Sequence, residues 1–393
     1  MKIVIIGAGS GGVWTALHYA YYTRNNKNIE VELIYDPEID SFPVGQALFP
    51  GQSGLLYDAC DINWYHNEVH ATPKLGILYE NWSKRTPTLF HEFPFNQIAM
   101  QADPKYLQKY ILNSGLFAVK EGNVTDLDTV DADVIFDCRG NIGKDNIKYE
   151  SLYCPLNSVL LAISTMHDST QNWTRAVATP DGWTFVIPNT TDSTSYGYLY
   201  NKDITSLETA KTNFSELFGK EFPNEMKTFN IPFESYKAVE PLRIDSNGRK
   251  IILNGNRLAF LEPMEATAID FYLFVAAFTF DWVIGGTDCL SEKAELPMNI
   301  FQMKDVTSNI NRMIHEIHTF ILWHYTKGSV YDTPFWREAQ AETTAIFEQP
   351  NENFQNIVNL AKSMDLIDLR SIIVKYGSWS PVAIKRWYGG YIK

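Results

Sequence analysis

The chain has 393 residues, 45% of them hydrophobic and 20% charged, and a formal net charge of −13. Such a length allows one large domain or two to three ordinary ones with a sizeable core. The negative charge argues against nucleic acid or an anionic membrane as a main partner, since both require a basic face. Four widely spaced cysteines without a Cys-x-x-Cys pair indicate buried thiols in a reducing cytoplasm rather than disulfides or a zinc site.

The N-terminal segment predicts a dinucleotide-binding unit. Lys2–Ile6 is a nearly continuous apolar run, typical of a parallel strand covered on both faces. A glycine turn, a helix over about 13–22 and a strand over 31–35 follow, which is the order of a Rossmann unit. Glycines here let the backbone approach a pyrophosphate at the positive end of the helix, although an ordinary strand–helix turn is the alternative. The candidate cofactor residues are Gly7, Ala8, Gly9, Ser10, Gly11 and Gly12, with Tyr35 or Asp36 at the ribose.

The remainder of the chain predicts an α/β fold with an inserted sheet. Residues 132–140 predict a further strand of the first sheet, and 183–187 and 196–200 predict strands of an antiparallel sheet lying over the flavin-binding module. The apolar stretch 269–284 contains two aspartates and is too short to span a membrane, so we predict a buried helix. Only one nucleotide fingerprint occurs in the sequence, which argues against a second complete dinucleotide site.

The predicted architecture is therefore a Rossmann-type module for FAD or NAD with a helical C-terminal region. The module would cover residues 1–297 and carry the inserted sheet at about 150–245. The helical, substrate-side region would cover 298–393 and include helices at 309–324 and 353–364.

Seven segments of the sequence stand out in chain order. They are the glycine turn, 43–50, Lys74-Leu75-Gly76, Asp137-Cys138-Arg139-Gly140, Trp183-Thr184-Phe185-Val186-Ile187-Pro188, Leu261-Glu262-Pro263-Met264-Glu265-Ala266-Thr267 and Asp332-Thr333-Pro334-Phe335-Trp336. In this order they resemble the motifs of flavin-dependent halogenases of the tryptophan-halogenase type. The resemblance covers most of the chain, and a compact phage or marine-type member would fit it. It implies that the Rossmann-type module binds FAD and that the fold is similar to that of flavin monooxygenases.

This resemblance implies FADH2- and O2-dependent halogenation of an electron-rich aromatic or heteroaromatic small molecule. In the family, hypohalous acid passes through a tunnel to a lysine, which either hydrogen-bonds it or becomes a haloamine. Lys74 matches that lysine. Glu265 matches a carboxylate that stabilises the cationic ring and takes its proton. Without a visible NAD(P)H domain, the enzyme would depend on a separate NAD(P)H flavin reductase, and a homo-oligomer remains open.

Further site residues are implied by the same resemblance. Chloride, bromide or iodide would bind backbone amides near Thr267 and Ala268, at the start of a helix. Phe93 and Phe95 would sandwich the aromatic substrate. The residues expected to shield the flavin from the substrate are Trp183 and Phe185. The residues expected to contact FAD outside the glycine turn are Ala47, Leu48, Gly140 and Ile269.

Departures from the family motifs keep other functions open. Residues 43–50 resemble the family's flavin strap, called the strap below. Gln46 replaces the glutamate of this strap, Phe185 replaces a tryptophan and Ala268 replaces a glycine. The alternatives are an FAD-dependent aromatic hydroxylase, which needs neither Lys74 nor Glu265, and a degenerate flavin-binding protein without turnover. The chain is also shorter at its C-terminal end than tryptophan-specific members, which predicts a more open substrate site.

Each candidate residue also has a structural alternative. Lys74 could be a surface lysine in a loop, Glu265 a helix cap, and the candidate aromatic residues ordinary core packing. We expect Glu262 to be structural or to point at the strap. The histidine pairs at 315 and 318 and at 66 and 70 lack a supporting third ligand, so we expect no metal site.

Overall fold

The computed structural model describes residues 1–39, 44–93, 97–140, 147–166, 170–190, 192–285, 302–365 and 375–392. The boundary predicted at 297–298 lies outside these ranges. The division into two regions therefore stays a prediction.

Nine α-helices occur within these ranges, and they confirm the helices predicted near 13–22, 269–284, 309–324 and 353–364. In chain order they are α1 Ser10–Thr23, α2 Pro50–Cys60, α3 Pro104–Leu112, α4 Leu207–Phe218, α5 Thr267–Ile284, α6 Met303–Trp323, α7 Pro334–Glu348, α8 Glu352–Ser363 and α9 Pro381–Trp387. A π-helical turn, Tyr388–Ile392, continues α9.

The same ranges contain nineteen strands. In chain order they are β1 Lys2–Ile6, β2 Glu30–Tyr35, β3 Gln46–Ala47, β4 Thr72–Lys74, β5 Gly76–Glu80, β6 Thr88–Glu92, β7 Ala99–Ala102, β8 Ala118–Glu121, β9 Val134–Asp137, β10 Tyr149–Leu152, β11 Ser158–Ser164, β12 Thr174–Thr179, β13 Gly182–Thr190, β14 Ser193–Tyr200, β15 Phe229–Pro232, β16 Ser235–Ala238, β17 Leu242–Ile244, β18 Lys250–Leu253 and β19 Ala259–Phe260.

The first sheet is the predicted Rossmann unit. Its strand order is β17-β18-β9-β1-β2-β8, and all neighbours except β17 and β18 run parallel. Central strand β1 is apolar along almost its whole length because it is covered on both faces. Strand β9 lies beside β1, as the apolar run before Cys138 predicted. The carboxyl ends of β1, β2 and β9 therefore meet at one edge, where α1 begins.

A seven-stranded sheet forms the second layer, in the order β15-β11-β14-β13-β12-β5-β6. Its neighbours pair antiparallel, apart from β12 and β5. Five strands come from the predicted insertion, whereas β5 and β6 come from residues 76–92. The lysine segment is thereby joined directly to the inserted sheet. All nine residues of β13 are buried in this layer.

A small three-stranded sheet, β3-β7-β4, connects the strap to the lysine segment. Ala47 of β3 pairs with Gln101 of β7, and Lys74 of β4 pairs with Ala99 of β7. A second small sheet has the order β10-β16-β19. Strand β7 thus fixes the spacing between two motifs that are almost 30 residues apart in sequence.

Helix α5 is a core helix, as predicted for residues 269–284. Its length and composition would suit a membrane span, but 56% of its most apolar window is buried inside the protein. It packs against α1 and α6. A hydrogen bond of 3.0 Å between the buried hydroxyls of Tyr19 and Thr279 links it to α1.

Candidate active site

The glycine turn at the start of α1 has the shape of a dinucleotide cradle. A Cβ on Gly12 would lie 1.8 Å from the carbonyl oxygen of Gly7, so only glycine allows this approach of α1 to the turn. Gly7 itself has φ +101° and packs against the backbone of Cys138. In contrast, a Cβ on Gly9 would meet no atom within 4 Å in the part of the chain that the structure describes. The turn therefore leaves open space at the N-terminus of α1, where a pyrophosphate would bind.

Side chains from other elements hold this turn in place. Gln108 of α3 donates a hydrogen bond to the carbonyl oxygen of Ala8, and Gln46 of the strap donates to the hydroxyl of Ser10. Gly11 packs closely against Gly255. The strap residue that departs from the family motif is thus bonded directly to the candidate pyrophosphate loop.

The other candidate cofactor residues lie at the same sheet edge, on the strap or in the first turn of α5. Tyr35 and Asp36, at the end of β2, are both half-buried, and the Tyr35 hydroxyl lies 3.4 Å from Oε1 of Glu121. Gly140 follows β9 with φ +79°, and a Cβ there would meet no atom of the described residues within 4 Å. Three buried candidates are Ala47, Leu48 and Ile269.

Lys74 is a buried residue of β4 and is not in a surface loop. It is 0% exposed, and none of the described residues accepts a hydrogen bond from its Nζ. This nitrogen lies 5.1 Å from the ring centre of Phe49 and 5.3 Å from that of Phe93. Burial lowers the pKa of the amine to about 7, against the opposing charges of Glu265 and Asp270.

Glu265 lies in a short turn immediately before α5. Its backbone has φ 64° and that of Ala266 has φ 56°, both in the left-handed region that costs non-glycine residues about 1–2 kcal/mol. Helix α5 has no side-chain cap hydrogen bond, so Glu265 does not act as its cap. The strained turn instead directs the carboxylate into the protein, where its side chain is 2% exposed.

Side chains from three other elements surround the Glu265 carboxylate. Its Oε1 accepts hydrogen bonds from the hydroxyl of Tyr79 and from Nε2 of His324, at 3.0 Å for the histidine. Nδ1 of His91 lies 3.7 Å from the same oxygen. Burial alone would raise the pKa of this carboxyl, but His91 and His324 hold it well below its usual range. Glu265 is therefore a stable carboxylate.

The sequence did not indicate Tyr79, His91 or His324 as neighbours of Glu265. Ile77 pairs with His91 across β5 and β6, and Tyr79 pairs with Leu89, which places the Tyr79 and His91 side chains on one face of the sheet. Tyr79 is only five residues after Lys74, and His91 is two before Phe93, so proximity to the motifs was a usable signal. His324 follows α6, almost 60 residues after Glu265, and no local signal marks it.

The C-terminal residues cover the Glu265 side of the site. The Trp387 ring lies 4.0 Å from the ring of His324 and 4.8 Å from that of Tyr79, between centres. The Tyr391 hydroxyl donates to the carbonyl oxygen of Tyr79 at 3.4 Å. Trp387 and Tyr391 therefore cover the His324 and Tyr79 side of the carboxylate, and the more open substrate site stays a prediction.

Glu262 forms a separate buried group, three residues before Glu265. It accepts hydrogen bonds from the hydroxyl of Tyr325 at 2.7 Å and from the thiol of Cys154 at 3.1 Å. Burial raises its pKa to about 7. These contacts fit the expected structural role and give Glu262 no hydrogen bond to the strap.

The candidate halide residues lie in the first turn of α5. Thr267 is buried and Ala268 is exposed. Backbone N–H groups in a first helical turn have no partner within the helix, and no side chain caps this one. The N-terminus of α5 can therefore accept a small anion beside Glu265.

The candidate aromatic residues lie in two places. Phe93 is 9% exposed, and its ring centre lies 5.7 Å from that of Phe49. Trp183 and Phe185 are buried in β13, with ring centres 6.2 Å apart. A Cβ on Gly197 would lie 2.1 Å from the Phe185 ring, so this phenylalanine packs directly on the glycine. Phe95 lies outside the described residues.

The described part of the chain contains no cluster of three or more histidine, cysteine, aspartate or glutamate residues with metal-binding geometry. Nδ1 of His66 is hydrogen-bonded to Oδ2 of Asp61 at 2.8 Å, and Nε2 of His318 lies 2.6 Å from the carbonyl oxygen of Tyr153. Both histidines therefore have ordinary structural partners.

Comparison with known proteins identifies the family. A sequence model of the family described as tryptophan halogenase matches residues 2–115 and 117–379. The chain belongs to the tryptophan halogenase family. This confirms the resemblance inferred from the motifs, and with it the class, an enzyme of the flavin-dependent halogenases.

Individual relatives are distant. Tryptophan 7-halogenase RebH of Lentzea aerocolonigenes is 26% identical over 221 residues, which are 53% of this chain and 38% of the relative. The match thus spans well under half the length of this curated relative.

Solved structures show the same fold at lower identity. A tryptophan 6-halogenase, SttH, from Streptomyces toxytricini superposes with a TM-score of 0.77 at 17% identity, over 98% of this chain and 89% of that one. BrvH, a flavin-dependent halogenase from Brevundimonas sp. BAL3, gives 0.75 at 16% identity, over 99% and 90%. These similarities confirm the predicted α/β fold.

Proposed function

We propose that this chain uses FADH2, O2 and halide to halogenate an electron-rich aromatic small molecule through hypohalous acid that reaches Lys74. The observation that carries the proposal is the Lys74 amine, which is buried, lacks a hydrogen-bond partner among the described residues and is flanked by two aromatic rings. A structural lysine would be expected to pair with an acceptor, since burying an unpaired polar group is costly.

The cofactor would bind along the carboxyl edge of the first sheet. Gly7–Gly12 would hold the pyrophosphate, with Tyr35 or Asp36 at the ribose and Ala47, Leu48, Gly140 and Ile269 as further contacts. The glycine cradle and the open space at Gly9 support this placement. Bound reduced flavin would supply hypohalous acid from O2 and a halide. A separate NAD(P)H flavin reductase would provide the reduced flavin.

The halide would bind at the N-terminus of α5, on the backbone amides near Thr267 and Ala268. This position places the anion next to the turn that carries Glu265. Trp183 and Phe185 would separate the flavin from the aromatic substrate, so that hypohalous acid and not the flavin meets the ring. Their burial in β13 supports a rigid wall.

Lys74 would act in one of two ways. Its amine can donate a hydrogen bond to hypohalous acid. The halogen is then transferred to the ring carbon, and the hydroxide that remains takes the ring proton and leaves as water. Alternatively, the amine lone pair takes the halogen as the O–X bond breaks, and the oxygen leaves as water with an amine proton. In that case the halogen passes from nitrogen to the ring carbon, and the ring proton replaces it on nitrogen. In both cases Glu265 would accept the ring proton first.

The aromatic substrate would stack beside Phe93 and Phe95. Stacking of this kind contributes about 0.5–1.5 kcal/mol beyond the burial of area. The cationic ring formed during substitution would face the Glu265 carboxylate, whose pKa is held well below its usual range.

The test is a mass-spectrometric assay of the purified protein with FAD, a flavin reductase, NADH and O2. Chloride, bromide and iodide are each offered with a panel of phenols, indoles and anilines. We expect halogenated product from the wild type and none above background from Lys74→Met, which keeps the length of the side chain but removes the amine. Background is measured with free hypohalite in the same mixture.

A matched control is Lys250→Met, because Lys250 also lies over an aromatic ring, 4.9 Å from the centre of Trp282, but at the amino end of β18. Product from this variant and not from Lys74→Met supports the proposal. Hydroxylated product from the wild type would assign an aromatic hydroxylase instead. FAD binding with peroxide as the sole product would indicate a flavin-binding protein without turnover.

A further inference from the structure

His324 lies between two hydrogen-bond acceptors. Its Nδ1 is 2.8 Å from the carbonyl oxygen of Phe320, and its Nε2 is 3.0 Å from Oε1 of Glu265. Its side chain is 0% exposed, so water does not compete for either nitrogen. A carbonyl oxygen can only accept a hydrogen bond, so Nδ1 must carry a proton.

The second nitrogen then fixes the charge of the pair. A neutral imidazole has one N–H, which Phe320 already uses, and an ionised carboxylate can only accept. The contact between Nε2 and Glu265 therefore contains one further proton, either on the histidine or on the carboxyl. In both arrangements His324 and Glu265 together carry no net charge.

The surroundings of Glu265 place this proton on His324. The Tyr79 hydroxyl donates to the same carboxylate oxygen, and His91 lies 3.7 Å from it. Donors stabilise the ionised carboxyl, and its pKa is well below the usual range even though burial opposes this. The pair is thus a buried imidazolium–carboxylate ion pair.

Charge at Glu265 matters for Lys74, because both are buried and Glu265 is the largest charge that acts on the amine. An uncompensated carboxylate would favour the protonated amine. Asp270, the other charge, already accepts hydrogen bonds from Gln52 and Ser378. The rings of Phe49 and Phe93 carry no charge. Burial is the main cause that lowers the pKa of Lys74, and the charge of Glu265 opposes it, so any neutralisation of Glu265 favours the uncharged amine.

We propose that His324 is a positioning residue that shares one proton with Glu265, offsets the charge of this carboxylate and so adds to the effect of burial in favouring the uncharged Lys74 amine. A neutral amine has the lone pair, and the freedom to donate, that hypohalous acid requires. This inference rests on the proposed function. It adds how the protonation states of Lys74 and Glu265 are controlled. The groups that face the pair are Tyr79 from β5, His91 from β6, Tyr391 from the C-terminal turn, and Lys74 and Asp270 beyond them.

The first test is a titration of Lys74 by 15N NMR of lysine Nζ, in protein without flavin or substrate. The Lys74 signal is assigned by its loss in Lys74→Arg. In His324→Gln the side chain can still donate to Glu265 but carries no positive charge. We expect the midpoint of the Lys74 titration to move up by about one pH unit or more, because Glu265 is no longer neutralised.

Turnover should follow the same direction. If the neutral amine is required, the acidic limb of the pH profile of kcat moves to higher pH in His324→Gln. An unchanged or lowered Lys74 midpoint would overturn the inference. Because the titration needs no flavin, halide or aromatic substrate, it stands apart from the question of whether the chain is a halogenase.

The matched control is His18→Gln. His18 is also buried, on α1 between Tyr22 and Phe280, and none of the described contacts links it to Glu265. We expect this variant to leave the Lys74 midpoint unchanged even where it lowers thermal stability.

A second measurement uses the wild type alone and so does not depend on a variant that folds. 15N NMR of histidine should find protons on both ring nitrogens of His324, with the 13C shift of an ionised Glu265 carboxyl. A neutral His324 ring beside an ionised Glu265 would contradict the inference.

Discussion

The geometry of the glycine turn, residues 7–12, and the geometry around the Glu265 carboxylate depend on different kinds of contact. At residues 7–12 the geometry is set by backbone atoms that approach each other more closely than a Cβ would allow. Around Glu265 it is set by side chains from β5, β6 and the residue after α6. The first region therefore constrains which residue types are possible locally. The second depends on how distant elements pack.

This difference predicts how each region responds to mutation. A change in the glycine turn should act on folding and cofactor affinity, because it moves backbone. A change at the carboxylate should act on turnover and its pH dependence, because it alters charge. The three predictions below test this contrast, from the largest effect to the smallest.

Glu265→Gln should give the largest effect, a fall in kcat of about 10²–10⁴-fold. Glutamine fills almost the same volume and keeps an oxygen for Tyr79 and His324, but it cannot take the ring proton. The measurement is steady-state halogenation with a reductase, together with a thermal melt to show that the fold persists.

The matched control for this prediction is Glu262→Gln. Glu262 is equally buried and three residues away, but its partners are Tyr325 and Cys154. It should change stability while kcat stays close to that of the wild type. Equal loss of kcat in both variants would mean that the turn and not the Glu265 charge matters.

Gly12→Ala should destabilise the folded protein by about 1–3 kcal/mol, as overpacking does. The new methyl would lie 1.8 Å from the Gly7 carbonyl oxygen, so α1 must shift away from the turn and FAD affinity must fall. Chemical denaturation and flavin fluorescence measure the two effects. Gly54→Ala in α2 is the control, because a Cβ there meets no atom within 4 Å and should stabilise the helix by about 0.5–1 kcal/mol. Equal stability of both variants would contradict the close approach.

The same contrast explains what could be predicted from sequence. The strand–glycine–helix order predicted the first sheet and α1 correctly, because the constraint is local and only glycine satisfies it. Burial of Lys74 was not visible in its own segment, since it arises from the pairing of β4 with β7 and from Phe49 and Phe93.

The donors to Glu265 were harder still to predict. His324 is brought to the carboxylate by the packing of α6 against α5, and a lone histidine at the end of a helix has no pattern that reports this contact. The packing of the C-terminal residues against Tyr79 could not be predicted either, because this contact also joins distant elements and has no local sequence pattern. Trp387 packs against the ring of His324 and the Tyr391 hydroxyl donates to the Tyr79 carbonyl oxygen, two contacts that chain length alone does not predict.

Gln46→Ala tests a side-chain contact that joins the strap to the glycine turn, and its effect should be the smallest. Loss of the hydrogen bond to Ser10 should weaken FAD binding by about 0.5–1.5 kcal/mol, the usual net value of such a bond. Gln340→Ala is a matched control, since its amide donates to the Thr326 carbonyl oxygen at 3.3 Å from an exposed position of α7. Isothermal titration with FAD should separate the two variants. If Gln46→Ala binds FAD like the wild type but loses turnover, the strap would act on the reacting groups near Lys74, through β7, and not on the glycine turn.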